Sequence, residues 1–182
     1  MHVEFLYYVQ HLCQHKVRWL WINHFVHHSP QHIYFSTAVR VGISGKLIGN
    51  YAFFAPLLYV GYSIEVVTIA LAINFIYQFG IHSEYIPKLG PLEGILNTPS
   101  SHRVHHGCNL RYIDCNYGGI TVLFDRLFGT YVPEADDEPV RYGLVHQVET
   151  HNPIALNLIQ WRRLFSDLRS AGSVANAVQL LI

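Results

Sequence analysis

Charge is scarce in this sequence, and cysteine scarcer. Of 182 residues only 13% are charged, and the 12 acidic and 12 basic side chains cancel. With no basic excess, and with the cations scattered, nucleic acid is not an expected partner. A chain that is 51% hydrophobic and this poor in charge reads as a membrane protein rather than a water-soluble domain. Cys13, Cys108 and Cys115 form no C-x-x-C pair, which disfavours a closed structural zinc site. An odd number of cysteines without framework spacing fits a reducing, cytosolic face. Neither H-E-x-x-H nor a G-x-S-x-G elbow is present, which weighs against hydrolysis. The E-x-x-H of soluble di-iron bundles is missing as well.

Histidine is in excess, with 13 residues. Asn97 to His106 places His102, His105 and His106 at i, i+3 and i+4 just after a helix-start signal, so the three imidazoles share one helix face. The same H-x-x-H-H spacing occurs at His24, His27 and His28, and an H-x-x-x-H pair stands at His11 and His15. Neutral imidazole is the commonest protein metal ligand. One ion takes about four to six donors, so eight or more converging imidazoles imply two metals. Imidazole suits iron, copper and zinc alike, and the ligand set by itself does not choose among them.

At this length one domain is expected over residues 1–182. Glu4 to about Phe25 reads as one helix without a Gly or Pro to break it. Leu47 to Ile81 carries Glu65 as its only formal charge and predicts a membrane hairpin of two helices turning at Gly61-Tyr62-Ser63, with Pro56 kinking the first arm. Arg40 and Lys46 precede the hairpin and Lys88 follows it, while its tip has no cation. The positive-inside rule therefore puts the histidines in the cytoplasm. Asn109 to Gly119 predicts a loop, and Ile120 to Phe128 a helix ended by Gly129. Pro133 to Pro139, with four acids, predicts a solvated loop. Asn152-Pro153 opens an amphipathic helix whose Trp161, Arg162, Arg163 and Arg169 suit a membrane interface.

From Glu4 to about Asp167 the chain resembles the membrane-bound fatty acid hydroxylase and sterol desaturase superfamily, and within it the alkylglycerol monooxygenase branch. The three histidine blocks stand in the superfamily's order. Tyr7-Tyr8, Ser36 to Arg40, His82 with Glu84, Gly90 to Glu93 and Asn97 to Ser100 extend the likeness. So do His102 to Gly107, Asp114, Asn116 to Gly119, Asp125-Arg126, Phe128 to Thr130 and Tyr142 to Leu144 with His146. Lys16 and Ser101 depart from the branch, which has Glu and His there.

The resemblance implies an all-α integral membrane protein, with a cytosolic di-metal helical domain on a hairpin at about 47–81. It implies two Fe ions and O2 as co-substrate, with tetrahydrobiopterin or an external reductase as electron donor. The implied activity is hydroxylation of a lipid C–H bond on an alkylglycerol ether, fatty acyl or sterol chain. Lipid desaturation is the alternative within the superfamily, and a redox-silent zinc hydrolase or binding protein the alternative outside it. The ligand set becomes His11, His15, His24, His27, His28, His102, His105 and His106, with His82 as the ninth. His146 is a further ligand or an outer group. Glu4, where the family has Asp, either orients an imidazole or is a solvated helix-start acid, and Asp114 is a candidate to hold a ligand histidine or Arg103. The expected location is the bacterial inner membrane or the endoplasmic reticulum, with lipid and bilayer as partners. Family members have membrane helices ahead of this segment and continue past it, so the chain is expected to be a fragment.

Overall fold

The computed structural model describes residues 1–45, 47–150 and 152–181, and among them the chain is helical with no strand. Lys46, used above for membrane orientation, lies outside the described residues. The expected helix from Glu4 to Phe25 is two helices, α1 (His2–Lys16) and α2 (Arg18–His28), separated by Val17 in an extended conformation with φ −108° and ψ 112°. A β-branched residue is at ease there. The break leaves both backbone groups of Val17 paired. The Val17 N–H donates to the Cys13 carbonyl at 2.8 Å, and the Val17 carbonyl accepts from Leu20 and Trp21 at 2.9 Å. An unbroken helix would hold His11 and His24 about 20 Å apart along its axis. Folding α2 back on α1 brings their Nε2 atoms to 3.1 Å.

The first arm of the expected hairpin is shorter than a membrane helix. A 3-10 turn (Asn50–Phe54) leads into α3 (Ala55–Tyr59). Pro56 sits in the first turn of α3, where its missing N–H costs nothing, so it starts a helix instead of kinking one. The chain reverses at Gly61, φ +98°, and Ser63 caps α4 (Ile64–Ile81). This 18-residue helix is long and apolar enough to cross a membrane. Its pattern is inverted relative to a soluble helix: Val66, Ile69, Ile73 and Ile76 are exposed, while Asn74 and Gln78 are buried. Such a face is stable against lipid, not water.

Thr98 caps α5 (Pro99–His105) by accepting from the Ser101 N–H, with Pro99 in the first turn. The helix expected over Ile120 to Phe128 is the shorter α6 (Leu123–Phe128), ended by Gly129 at φ +76°. In α7 (Pro153–Ser170), Asn152 accepts from the Ile154 and Ala155 N–H groups, and Leu156 packs against Phe25, Val26 and Leu144. The last helix is α8 (Val174–Gln179).

The acidic loop is solvated only in part. Asp136 and Asp137 are exposed, but Glu134 turns inward to Arg103, whose side chain is 8% exposed. The guanidinium donates to both Glu134 oxygens (3.2 and 2.7 Å) and to the carbonyls of Ser83 (3.1 Å) and Ile86 (2.6 Å). It thus clamps α5 to the chain leaving α4. Arg103→Ala would leave the largely buried Glu134 carboxylate without its cation and is expected to cost about 3 kcal/mol. Thermal unfolding of the purified protein measures this, and a loss below about 1 kcal/mol would mean the pair behaves like a surface ion pair.

Candidate metal centre

One helical break, at Val17, and the C-terminal ends of α4 and α5 bring the histidine blocks together. His11 and His15 on α1, His24 and His28 on α2, and His105 on α5 each offer a ring nitrogen, all within 4.8 Å of one another. His27 on α2, His82 at the end of α4, and His102 and His106 on α5 and its cap form a second such group. All nine histidines expected as ligands therefore lie in these two groups, and only His15 is less than fully buried. The other three candidates lie outside them. Asp114 is 3.4 Å from His15 Nδ1 and 2.5 Å from Lys16 Nζ, so it faces an imidazole rather than Arg103. Glu4 accepts from Asn74 Nδ2 (2.7 Å) and from the N–H groups of Ile120 and Thr121, which ties α1 to α4 and the following loop without touching an imidazole. His146 is exposed and lines a cavity that also reaches His15, His28 and His105.

A carbonyl only accepts, so an imidazole nitrogen bonded to one must carry the proton. His11 Nδ1 meets the Tyr117 carbonyl at 2.9 Å, His27 Nδ1 that of Thr37 at 3.1 Å, His82 Nδ1 that of Gln78 at 2.6 Å, and His105 Nδ1 that of Cys115 at 2.9 Å. Each of these rings then turns a bare Nε2 lone pair inward. His27 and His82 are both fixed this way, yet their Nε2 atoms are 3.3 Å apart, with no proton to share. His15 and His105 bury Nε2 with no hydrogen-bond partner at all. Two ligands about 2.0–2.1 Å from a metal sit about 2.9–3.4 Å from each other at octahedral or tetrahedral angles. The pairs His11–His24 and His24–His28 at 3.1 Å, and His102–His106 at 3.2 Å, fall in that range. The residues fit a pair of imidazole-bound transition metals, and the outer carbonyl contacts are those that orient metal ligands.

Comparison with known proteins gives the same direction. The profile of the Fatty acid hydroxylase family matches residues 1–130. The chain belongs to this family. It is 44% identical over 165 residues to alkylglycerol monooxygenase of Homo sapiens, covering 90% of this chain and 35% of that protein. It is 37% identical over 179 residues to alkylglycerol monooxygenase of Danio rerio, covering 98% of this chain and 39% of that protein. It is 30% identical over 128 residues to ornithine lipid hydroxylase OlsE of Rhizobium tropici, covering 70% of this chain and 39% of that protein. The chain thus spans 35–39% of the length of these relatives. No solved structure matches it.

In this member of the family, the segment from Asp114 to Gly119 supplies two of the orienting carbonyls, those of Cys115 and Tyr117. Asp114 (φ +60°) and Asn116 (φ +56°) hold left-handed conformations, which Asp and Asn tolerate better than most residues. Asn116 repays this by bonding Ser101 and Val132 through its amide. The buried Asp125 accepts from the N–H groups of Tyr117 and Gly118, both at 2.7 Å. A Cβ on Gly119 would lie 2.1 Å from Asn74 Nδ2, so only glycine lets the loop meet α4 there. Sequence reasoning did not foresee this contact. Asn74 and Gln78, four apart inside an apolar run, are the signal that could have found it.

Burial, and repulsion from neighbouring imidazoles, depress the pKa of His11, His24, His28, His102, His105 and His106 well below 6.5. Burial pushes His82 down to about 4. These rings are neutral at pH 7, as metal ligands must be. Because the folded values lie below those of the unfolded chain, the unfolded chain binds more protons throughout the interval, and stability falls as pH falls. The metal-free protein is therefore expected to keep its full melting temperature above about pH 7 and to lose it progressively from about 6.5 toward 4. A melting temperature unchanged between about pH 7 and 5 would contradict neutral, buried imidazoles.

Proposed function

We propose that this chain is the histidine-liganded core of a membrane-bound di-iron hydroxylase, which uses O2 to oxidise a C–H bond of a lipid. The observation that carries the reading is the pair of buried imidazole groups, five donors facing four, in a member of a hydroxylase family. Iron held by His11, His15, His24, His28 and His105 on one side, and by His27, His82, His102 and His106 on the other, would supply O2-activating redox chemistry that no side chain has. The chain's own residues orient these imidazoles through carbonyl contacts and keep water from the reacting carbon. A cavity of about 450 Å³ reaches His24, His27 and His82, and the described residues that line it, Val39, Phe75 and Phe79 among them, include no Lys, Arg, Asp or Glu. Phe75 and Phe79 belong to α4, so a hydrocarbon chain reaches this cavity from the bilayer side.

Insertion of one oxygen atom into the C–H bond, with the other leaving as water, consumes two electrons and two protons from an external donor. Likeness to the alkylglycerol enzymes supports tetrahydrobiopterin as that donor, with a reductase as the other source. The same likeness makes the ether-linked carbon of an alkylglycerol the first substrate to test, ahead of fatty acyl and sterol chains. Hydroxylation there gives a hemiacetal, which falls apart to an aldehyde and glycerol. Arg40 and Lys88 flank the membrane segment while its tip carries no cation, which supports a centre on the cytoplasmic side.

Metal analysis and Mössbauer spectroscopy on isotope-enriched protein in detergent test the reading. The expected result is about two irons per chain with a coupled diferric signal. His105→Ala and His106→Ala, one in each group, are each expected to reduce this to about one. Oxygen-dependent aldehyde release from an alkylglycerol then tests the substrate. Zinc alone, persisting after anaerobic iron reconstitution, would sink the oxygenase reading and favour a hydrolase or a binding protein.

A further inference from the structure

Two divalent ions held only by imidazoles leave roughly four positive charges in a buried place, since neutral ligands cancel none of them. Among the described residues, Asp114 is the one acid in contact with any of the nine rings, and it also neutralises Lys16. The compensating charge has to come from elsewhere.

One cavity is built to receive it. Between α1, α2 and α7 lies a space of about 390 Å³ that reaches His15, His28 and His105 of the five-histidine group. Lys16, Arg18 and Arg163 line it, against Asp114 as the only acid among the described residues of its lining. Lys16 and Arg18 pair with Asp114 and Asp167 at 2.5 Å, but Arg163 has no acidic partner among the described residues. Metal charge and cavity wall therefore have the same sign, and only an anion relieves both. The cavity on the α4 side reaches His24, His27 and His82, and among the described residues that line it none is charged, so these offer an anion nothing to pair with.

We propose that the cavity between α1, α2 and α7 is an oxyanion site. It takes a carboxylate- or phosphate-bearing ligand over His15, His28 and His105, anchored by Arg163, which offsets part of the charge of the centre. This site is separate from the cavity assigned to the hydrocarbon chain, and it rests on the metal-binding reading above.

The test uses the full chain, metal-loaded in detergent. Equilibrium dialysis against radiolabelled inorganic phosphate runs beside flotation with phosphatidylcholine vesicles that contain or lack phosphatidic acid. Arg163→Glu is expected to weaken phosphate or phosphatidic acid binding about tenfold or more, and Arg163→Lys to retain most of it. Arg162→Glu, on the same helix but outside the cavity, should change it less than about twofold. Removing the metal should abolish it. Binding of inorganic phosphate makes a free anion the source, and Arg163-dependent binding of phosphatidic acid vesicles alone makes it a lipid headgroup. Equal binding by both Glu variants, or by metal-free protein, means an adventitious ion only and overturns the proposal. Metal content is measured on the same samples. Full metal without Arg163-dependent binding sinks this inference alone, whereas absence of metal sinks the proposed function and this inference with it.

Discussion

An imidazole whose Nδ1–H is committed to a carbonyl can present only a lone pair through Nε2, and this constraint orders the rest of the structure. His27 and His82 turn such lone pairs on each other at 3.3 Å, while His105 buries its own without a partner. Without a cation between them these contacts are repulsive, and with burial opposing protonation the rings do not supply that cation themselves. The energy of the arrangement is recovered only when an electron-pair acceptor occupies it. The carbonyls that impose it belong to Thr37, Gln78, Cys115 and Tyr117, and so to three different segments of chain.

Holding those carbonyls is the work of side chains remote from the centre. Asp125 is buried, and burial raises its pKa. It persists as an acceptor because Tyr117, Gly118 and the Thr130 hydroxyl all donate to it. Glu4 does the same for Ile120 and Thr121, and through Asn74 it fastens that loop and α1 to α4. The positive-φ residues, the close approach at Gly119 and the Asp125 acceptor are one device, which aims the Cys115 and Tyr117 carbonyls at His105 and His11.

The centre was more legible in the sequence than the path of the chain around it. Spacings of three and four residues put imidazoles on a common helix face wherever the helix goes, so His102, His105 and His106 could be grouped from Thr98 onward without a fold. Where one helix stops is a weaker signal. Val17 carries no Gly or Pro to announce a break; it is imposed by His11 and His24 having to meet, a tertiary demand that local propensity does not record. The short first arm has visible causes in Gly49, φ +89°, and Pro56. Pro56 reads as a kink in a longer arm because hydrophobicity, uniform through the segment, does not show where a helix starts. Glu134 was hidden for the converse reason: four acids in seven residues read as a solvated run, and nothing local shows which one will meet a buried Arg103.

The inverted pattern of α4 joins its exposed apolar face to the histidine centre. Its outer face gains nothing from protein packing and is stable only against apolar solvent, whereas Asn74 and Gln78 would be costly there and are spent inward on Glu4, on each other and on the Tyr7 hydroxyl. The same last turns deliver the Gln78 carbonyl to His82 Nδ1. A helix is about 10–12 Å across with its side chains, so a lipid lying against the outer face of α4 is one helix width from that imidazole. Phe75 and Phe79 open the uncharged cavity along this short path. The polar stripe therefore fixes the helix about its axis, and that rotation is what turns the apolar face outward and His82 inward.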